Sequence, residues 1–357
     1  MNLQALLHTV VGQCGSDIHL KAGSPPVIRF DGELTRLELS PLSRKDIDEV
    51  LQEILTEREI KLFEERGEAD VSYAVSDLSR FRVNICREMG NVRLVFRLIP
   101  YEIPTIRELQ LPLVLEQIAG TPRGLVLVTG PTGCGKSTTL AAMITHINSN
   151  YPRHIVTIED PIEFVHYDKK GMITQRQLGT DTHSFVNAMR AVVRQDPDVI
   201  MLGEMRDSET VFSAMQAAET GHLVLSTLHT PDAVDTVNRI TDFFSPEQHQ
   251  QVRNQFAICL RAVISQRLVP RKAGVGRIAA VEVLIGTQLM KERIQKQADG
   301  SDIMALMQEG RSTYGMQTFD QHLYELWEAE EISEETALAY ASSPKDLSLR
   351  FRGLIAS

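Results

Sequence analysis

The sequence predicts an α/β chain in which a small α+β unit precedes a core built on a parallel sheet. Three observations carry this expectation. Four short apolar runs, 124–129 (GLVLVT), 154–158 (HIVTI), 198–202 (DVIML) and 222–228 (HLVLSTL), alternate with helical stretches, the pattern of parallel strands buried on both faces. The residues before them alternate differently, with short strands grouped around helices. The length of 357 residues suits two domains rather than one. We therefore expect a first domain over 1–99, a linker over 100–112, and a core over 113–357 that turns mostly helical from about residue 288.

The elements follow in order. Residues 2–12 read as a helix, and 17–20 (DIHL) and 26–30 (PVIRF) as strands, with Asp31-Gly32 as a hairpin turn between strands. Over 43–66 a helical period places Ile47, Val50, Leu51, Ile54, Leu55 and Leu62 on one stripe, which predicts one long helix. Strands follow near 70–75, 80–87 and 92–99. The segment PYEIPTIRELQLP, with its three prolines, is the linker. Beyond the sheet, amphipathic stretches at 288–297, 302–309 and 317–329 predict helices. There is no internal repeat and no low-complexity tract.

Bulk composition removes several classes of function. The formal net charge is −10, so the chain has no overall attraction to phosphate backbones, and no nucleic-acid partner is expected. Cys14, Cys86, Cys134 and Cys259 lie far apart without a CxxC pair, which predicts neither a zinc site nor a disulfide framework. The N-terminal MNLQALLHTVVGQCGSD has no basic start or cleavage site, so no signal peptide is expected. No apolar run reaches the roughly 20 residues that span a bilayer.

Gly130-Pro131-Thr132-Gly133-Cys134-Gly135-Lys136-Ser137 is a full GxxxxGK[ST] match, placed between the strand 124–129 and a helical stretch Thr138–Asn148. That context makes it a P-loop. Backbone N–H groups from Thr132 through Thr138 are expected to converge on phosphate oxygens at the positive end of the helix. Lys136 is expected to reach the β- and γ-phosphates of ATP, and Ser137 to ligate Mg²⁺.

In open parallel sheets, ligands sit beyond the carboxyl ends of the strands. Three more strand ends deliver chemistry to that edge: Glu159-Asp160-Pro161-Ile162-Glu163, Gly203-Glu204-Met205-Arg206-Asp207, and His229-Thr230. Phosphoryl transfer to water needs a metal ligand, a group that orients the water, and positive charge on the γ-phosphate. Glu204 is read as the acid that reaches Mg²⁺, Glu163 as the group that polarises the water, and His229 as a sensor of the γ-phosphate. The two acids can exchange roles on this reading. His222 begins the strand that His229 ends, about 20 Å of extended chain away, and is equally read as a structural histidine.

Taken together, GPTGCGKSTTLAAMI, IEDPIEF, RQDPDVIMLGEMRDSET and AETGHLVLSTLHT resemble the Walker A, Asp-box, Walker B and His-box motifs of secretion ATPases. Within that superfamily the chain is similar to the PilT/PilU group, the retraction ATPases of type IV pili. SDIHL and SRFRVN near the N-terminus and GMQTFDQHLYELWE near the C-terminus extend the likeness over essentially the whole chain. The resemblance implies a PAS-like N-terminal domain joined to a RecA-like core. It implies a homo-hexameric ring that hydrolyses ATP with Mg²⁺ to power pilus retraction and twitching motility. Its place would be cytoplasmic, at the inner membrane through the pilus platform protein. ATP would lie between one core and the N-terminal domain of a neighbour or of the same chain, with Arg82 and Arg97 reaching its phosphates. Arg206 and Arg239 are weaker candidates for the same role. An arginine so placed contributes roughly 10³–10⁵ in rate.

Two positions depart from the family pattern. Cys134 stands where serine or another small residue is usual. Its backbone still serves the phosphate, while its thiol is expected to be open to oxidation. VEVLIGTQLMKERIQKQADG does not keep the AIRNLIREGK motif of PilT proper, which tilts the reading toward PilU and a helper role beside a paralogous retraction ATPase. Pilus assembly or type II secretion ATPases of the GspE/PilB type are the rival reading. Those resemble longer chains that commonly carry a tetracysteine insertion.

Overall fold

The computed structural model describes residues 2–13, 15–30, 33–75, 78–99 and 102–354. Cys14, the Asp31-Gly32 turn, and Pro100 and Tyr101 at the head of the expected linker lie outside the described residues. The chain divides into two compact units, Met1–Glu102 with Pro161–Val165, and Ile103–Asp160 with His166–Ser357.

The first unit runs α1 (Leu3–Gly12), β1 (Asp17–Lys21), β2 (Val27–Phe30), β3 (Glu33–Arg36), α2 (Arg44–Ile54), α3 (Glu57–Arg66), β4 (Glu68–Val75), β5 (Ser79–Glu88) and β6 (Asn91–Ile99). Its strands form one antiparallel sheet in the order β3-β2-β1-β6-β5-β4. Leu7, Ile18, Phe81, Phe96 and Ile47 fill the core on one face. The expected single helix over 43–66 is two. Thr56 accepts from the Glu59 N–H while the Glu59 carboxylate accepts from the Thr56 N–H at 2.8 Å. This capping box starts a new helix after Leu55 leaves helical geometry. The break rotates α3 so that Phe63, not Leu62, enters the core.

The second unit runs α4 (Val114–Ala119), β7 (Gly124–Thr129), α5 (Lys136–Asn150), β8 (His154–Glu159), β9 (Met172–Gln177), α6 (Phe185–Val192), β10 (Val199–Leu202), α7 (Ser208–Glu219), β11 (Leu223–Leu228), α8 (Ala233–Asp242), α9 (His249–Cys259), β12 (Leu260–Pro270) and β13 (Arg277–Ile285). Six helices follow: α10 (Gln288–Gln295), α11 (Gly300–Glu309), α12 (Arg311–Tyr314), α13 (Phe319–Glu328), α14 (Glu334–Tyr340) and α15 (Pro344–Phe351). The sheet order is β13-β12-β7-β11-β10-β8-β9. Every pairing is parallel except β12 with β13.

Every residue of β7, β10 and β11 is buried, because helices cover both faces and leave two separate apolar cores. The sequence expectation contained four of these strands and lacked β9, β12 and β13. MITQRQ of β9 is polar and only half-buried at the sheet edge. LRAVISQRLVP of β12 carries polar residues inside its apolar run. Among the described residues no helix is long and apolar enough to cross a membrane.

Candidate active site

β7 is fully buried and ends at Thr129, where the chain must leave the sheet at once. Gly130 turns it with φ of 140°. A side chain there would meet the Gln266 carbonyl oxygen at 2.5 Å and Cys134 Sγ at 2.6 Å, so only glycine fits. Gly135 at φ 92° precedes α5 and supplies no side-chain cap. No side chain therefore caps the first turn of the helix, and the helix dipole favours an anion there. Thr132 and Gly133 are exposed at the tip of the loop, and Ser137 and Thr138 are half-buried on the first turn.

Cys134 is turned inward beneath the loop. It is buried, and burial pushes its thiol above the ordinary range, with Lys136 pulling weakly the other way. The expectation of a thiol open to oxidation is corrected: a buried thiol with less thiolate character is the inert kind.

Lys136 opens α5 and folds back over the loop, donating from Nζ to the Gly130 carbonyl at 2.8 Å and to the Pro131 carbonyl at 3.0 Å. Its Nζ also lies 3.5 Å from His229 Nδ1. His229 Nε2 is 3.2 Å from Glu204 Oε1, and Arg206 Nε donates to Glu204 Oε2 at 2.9 Å. An ammonium only donates, so the neutral ring that satisfies both neighbours carries its proton on Nε2. The result is one polar chain, Lys136 to His229 to Glu204 to Arg206, crossing the tips of β7, β11 and β10, which are neighbours in the sheet. Thr227 Oγ1 holds the Gly203 carbonyl at 2.7 Å, and the Met205 N–H donates to the Thr227 carbonyl at 3.2 Å. These bonds tie the turn that carries Glu204 to β11.

Other predicted residues are not members of this polar chain. Glu163 is exposed within Pro161–Val165, which packs with the first unit. Arg239 lies over the Phe243 ring, 4.6 Å from its centroid. His222 Nδ1 is 2.9 Å from the Ala217 carbonyl and links the end of α7 to β11, the structural part the sequence allowed it. Glu159 is the first acid of the stretch Glu159-Asp160-Pro161-Ile162-Glu163, and its neighbours in sequence give it no distinguishing pattern. It ends β8 buried, with Oε1 accepting from Thr157 Oγ1 at 2.7 Å and Gln175 Nε2 at 3.1 Å.

In the first unit, Arg97 and Arg82 stand directly opposite each other on β6 and β5, in a lateral row with Arg29, Asp17 and Ser72. Their face is opposite the apolar core. Arg97 is 69% exposed and bonds Asp17 at 2.8 Å, while Arg82 is 38% exposed and lies 3.5 Å from Asp70. Burial alone would raise the Asp17 carboxyl, and hydrogen bonds from Arg97 and Ser16 outweigh it and hold it below its ordinary value. Like charges placed opposite one another across strands are destabilising, so this pair is costly as architecture.

No cluster of three or more His, Cys, Asp or Glu side chains able to hold a metal occurs among the described residues. Mg²⁺ in phosphate sites is held by one or two protein ligands together with the phosphates. The oxygen donors at Ser137 and Glu204 fit that requirement.

The family model for type II/IV secretion system proteins matches residues 2–342. The type IV pilus retraction ATPase PilT of Pseudomonas aeruginosa is 44% identical over 97% of this chain and 100% of its own length. PilU, a type IV pilus ATPase of the same organism, is 42% identical over 99% of this chain and 92% of its own. Those two values do not separate the likeness to PilT from that to PilU. Among solved structures, the pilus retraction motor PilT with bound ADP superposes with a TM-score of 0.90 at 41% identity, over 98% of this chain and 99% of that one. With a glycine-rich loop joined through Lys136 and His229 to Glu204 and this likeness along its whole length, the chain belongs to the type II/IV secretion system family as a PilT/PilU-type ATPase.

Proposed function

We propose that this ATPase works as a homo-hexameric ring that hydrolyses Mg·ATP and applies the energy to retract a type IV pilus. It acts from the cytoplasmic face of the inner membrane, through the pilus platform protein. The observation that carries the reading is the polar chain from Lys136 through His229 to Glu204 across three adjacent strand tips. It joins the group that would bind phosphate to the acid that would hold the metal.

The amides from Thr132 to Thr138 cradle the phosphates, and Lys136 neutralises the β- and γ-phosphate oxygens. Ser137 and Glu204 would hold Mg²⁺, whose charge offsets that developing on the phosphate oxygens. Glu163 orients a water and receives its proton as the water oxygen bonds to the γ-phosphorus. The bond to the β-phosphate oxygen breaks, and ADP and phosphate leave. His229, lying between Lys136 and Glu204, registers whether the γ-phosphate is there. Arg82 and Arg97 contribute positive charge to the phosphates in the assembled ring. A second reading, a helper to a paralogous retraction motor, is favoured by the stretch 281–300, which lacks the AIRNLIREGK motif.

Lys136→Ala is expected to abolish ATP hydrolysis. Wild-type turnover in that variant sinks the assignment. Deleting the gene alone, and together with any paralogous motor gene, while scoring pilus retraction separates the principal motor from the helper. Unchanged retraction in both strains removes the pilus role.

A further inference from the structure

At the tip of the second unit's sheet a row of polar side chains replaces aliphatic ones. Thr129 ends β7, Ser265 is its neighbour on β12, and Glu282 is the neighbour of Ser265 on β13. Strand alternation puts the three on the face that carries Leu127, Val263 and Leu284 farther down. All three are buried. Thr129 Oγ1 and Ser265 Oγ share a hydrogen bond of 2.8 Å. Glu282 Oε1 accepts from the Ala233 N–H at 2.8 Å, and its Oε2 has no hydrogen-bond partner among the described residues. A carboxyl completely inside a core is costly unless it does something an apolar side chain cannot.

What it does is visible in where the chain goes from each end of the row. Thr129 runs straight into Gly130 and the P-loop. Ala233 is the first residue of α8, four positions after His229. Its N–H belongs to the first helical turn and has no partner within the helix. The cap Asp232 spends its side chain on the Asp235 N–H, so Ala233 depends on Glu282. The same hairpin grips the loop a second time. Gln266, next to Ser265, donates from Nε2 to Thr139 Oγ1 on α5 at 2.9 Å, and its carbonyl oxygen is what leaves Gly130 no room for a side chain.

We infer that Glu282 is a positioning residue of the nucleotide site: by holding the Ala233 N–H it fixes the turn from β11 into α8, and so the distance of His229 from Lys136. The inference deepens the role given to His229 above and rests on it. Burial pushes the Glu282 carboxyl up to about 7, and Asp232 adds to the rise, while the Ala233 and Phe319 amides and Arg267 oppose it. In its neutral form the acid still offers a carbonyl oxygen to Ala233, so the clamp survives protonation.

Steady-state ATP hydrolysis by the full chain tests this with Glu282→Met, Glu282→Gln, His229→Ala and the double variant Glu282→Met/His229→Ala, each checked for folding by thermal unfolding. Methionine fills the volume without an acceptor, and glutamine keeps one. Glu282→Met is expected to lower kcat about 10-fold or more with KM for ATP within about twofold, since misplacement of a reacting group acts on the chemical step. Glu282→Gln is expected within about threefold of wild type. The double variant is expected to be no more than about twofold slower than His229→Ala, because the two residues act as one unit. If the Met variant does not fold, Glu282→Asp, which withdraws the carboxyl by one methylene, replaces it with the same expectations. An equal loss from the Glu282 change with and without His229, wild-type turnover in the variant, or failure of glutamine to rescue overturns the positioning role alone. Wild-type turnover in His229→Ala overturns the sensor reading and this inference with it.

Discussion

His229 has two ring nitrogens and two charged neighbours, Lys136 at 3.5 Å and Glu204 at 3.2 Å. On the sensor role we propose for His229, a group arriving at Lys136 competes for that lysine, and the competition reaches Glu204 through one imidazole. Water activation needs a further acid, which we assign to Glu163. Glu163→Gln is expected to retain Mg·ATP binding and to lose hydrolysis, as read by fluorescent-nucleotide titration beside a phosphate-release assay; lost binding would mean the wrong acid was chosen. Glu282 adds a prediction in pH. Its folded carboxyl lies near 7 against an ordinary 4.5, so the folded state binds the proton more tightly. That contribution to stability is complete below pH 4.5 and is lost as pH rises through about 7. Relative to wild type, Glu282→Gln is therefore expected to gain on the order of 3 kcal/mol of stability between pH 4.5 and pH 8, from a rise of about 2.5 units at 1.36 kcal/mol each. Denaturant titrations of both proteins at the two pH values check it, and a constant difference refutes it. The chemistry-bearing residues at strand tips were legible because a P-loop and strand-end acids are local patterns. Glu282 was not, since a single acid inside AAVEVLI has no local signature and its meaning depends on Ala233, far away in the chain.

Elements show why some boundaries could be read and others could not. β7, β10 and β11 are short, wholly buried and bounded by turns, so their apolar runs announced them. β12 and β13 interleave Ser265, Gln266 and Glu282 among aliphatic residues, and those polar groups break the run because they serve the P-loop and α8. The split of α2 from α3 was written in Thr56-Glu-Arg-Glu59, but the unbroken apolar period across it concealed the cap. The P-loop itself makes a sharp prediction. Gly130→Ala adds a methyl group against the Gln266 backbone oxygen, which cannot rotate away as a side chain would. Nucleotide affinity measured by titration is expected to fall at least about 10-fold, because the backbone must move where it should meet phosphate. Unchanged affinity would show that β12 yields.

At the scale of the whole molecule, the question is what the paired arginines of the first unit serve. The exposed pair of Arg82 with Asp70 contributes little to stability. Asp17 beside Arg97 is buried, so Arg97→Ala is expected to cost some stability, and each variant is checked for folding by thermal unfolding. Arg82→Ala and Arg97→Ala are expected to spare nucleotide binding by an isolated subunit and to depress turnover in the assembled ring by roughly 10³-fold or more. Parallel measurements of binding and of concentration-dependent hydrolysis decide it; normal hydrolysis by both variants means the arginines do not act on the phosphates. The sequence resemblance made these two residues visible, since composition and period alone put them on an ordinary solvated strand.

The floor of the P-loop also sets an order of construction. Thr129 and Gly130 leave the ribosome long before Ser265 and Gln266, and β12 reaches β7 only by closing more than a hundred residues of intervening chain. Such distant pairings form late. A half-synthesised chain therefore displays every letter of its phosphate-binding motif without the backing that gives the motif its shape, and its fuel can be burned only after the hairpin beyond it has docked.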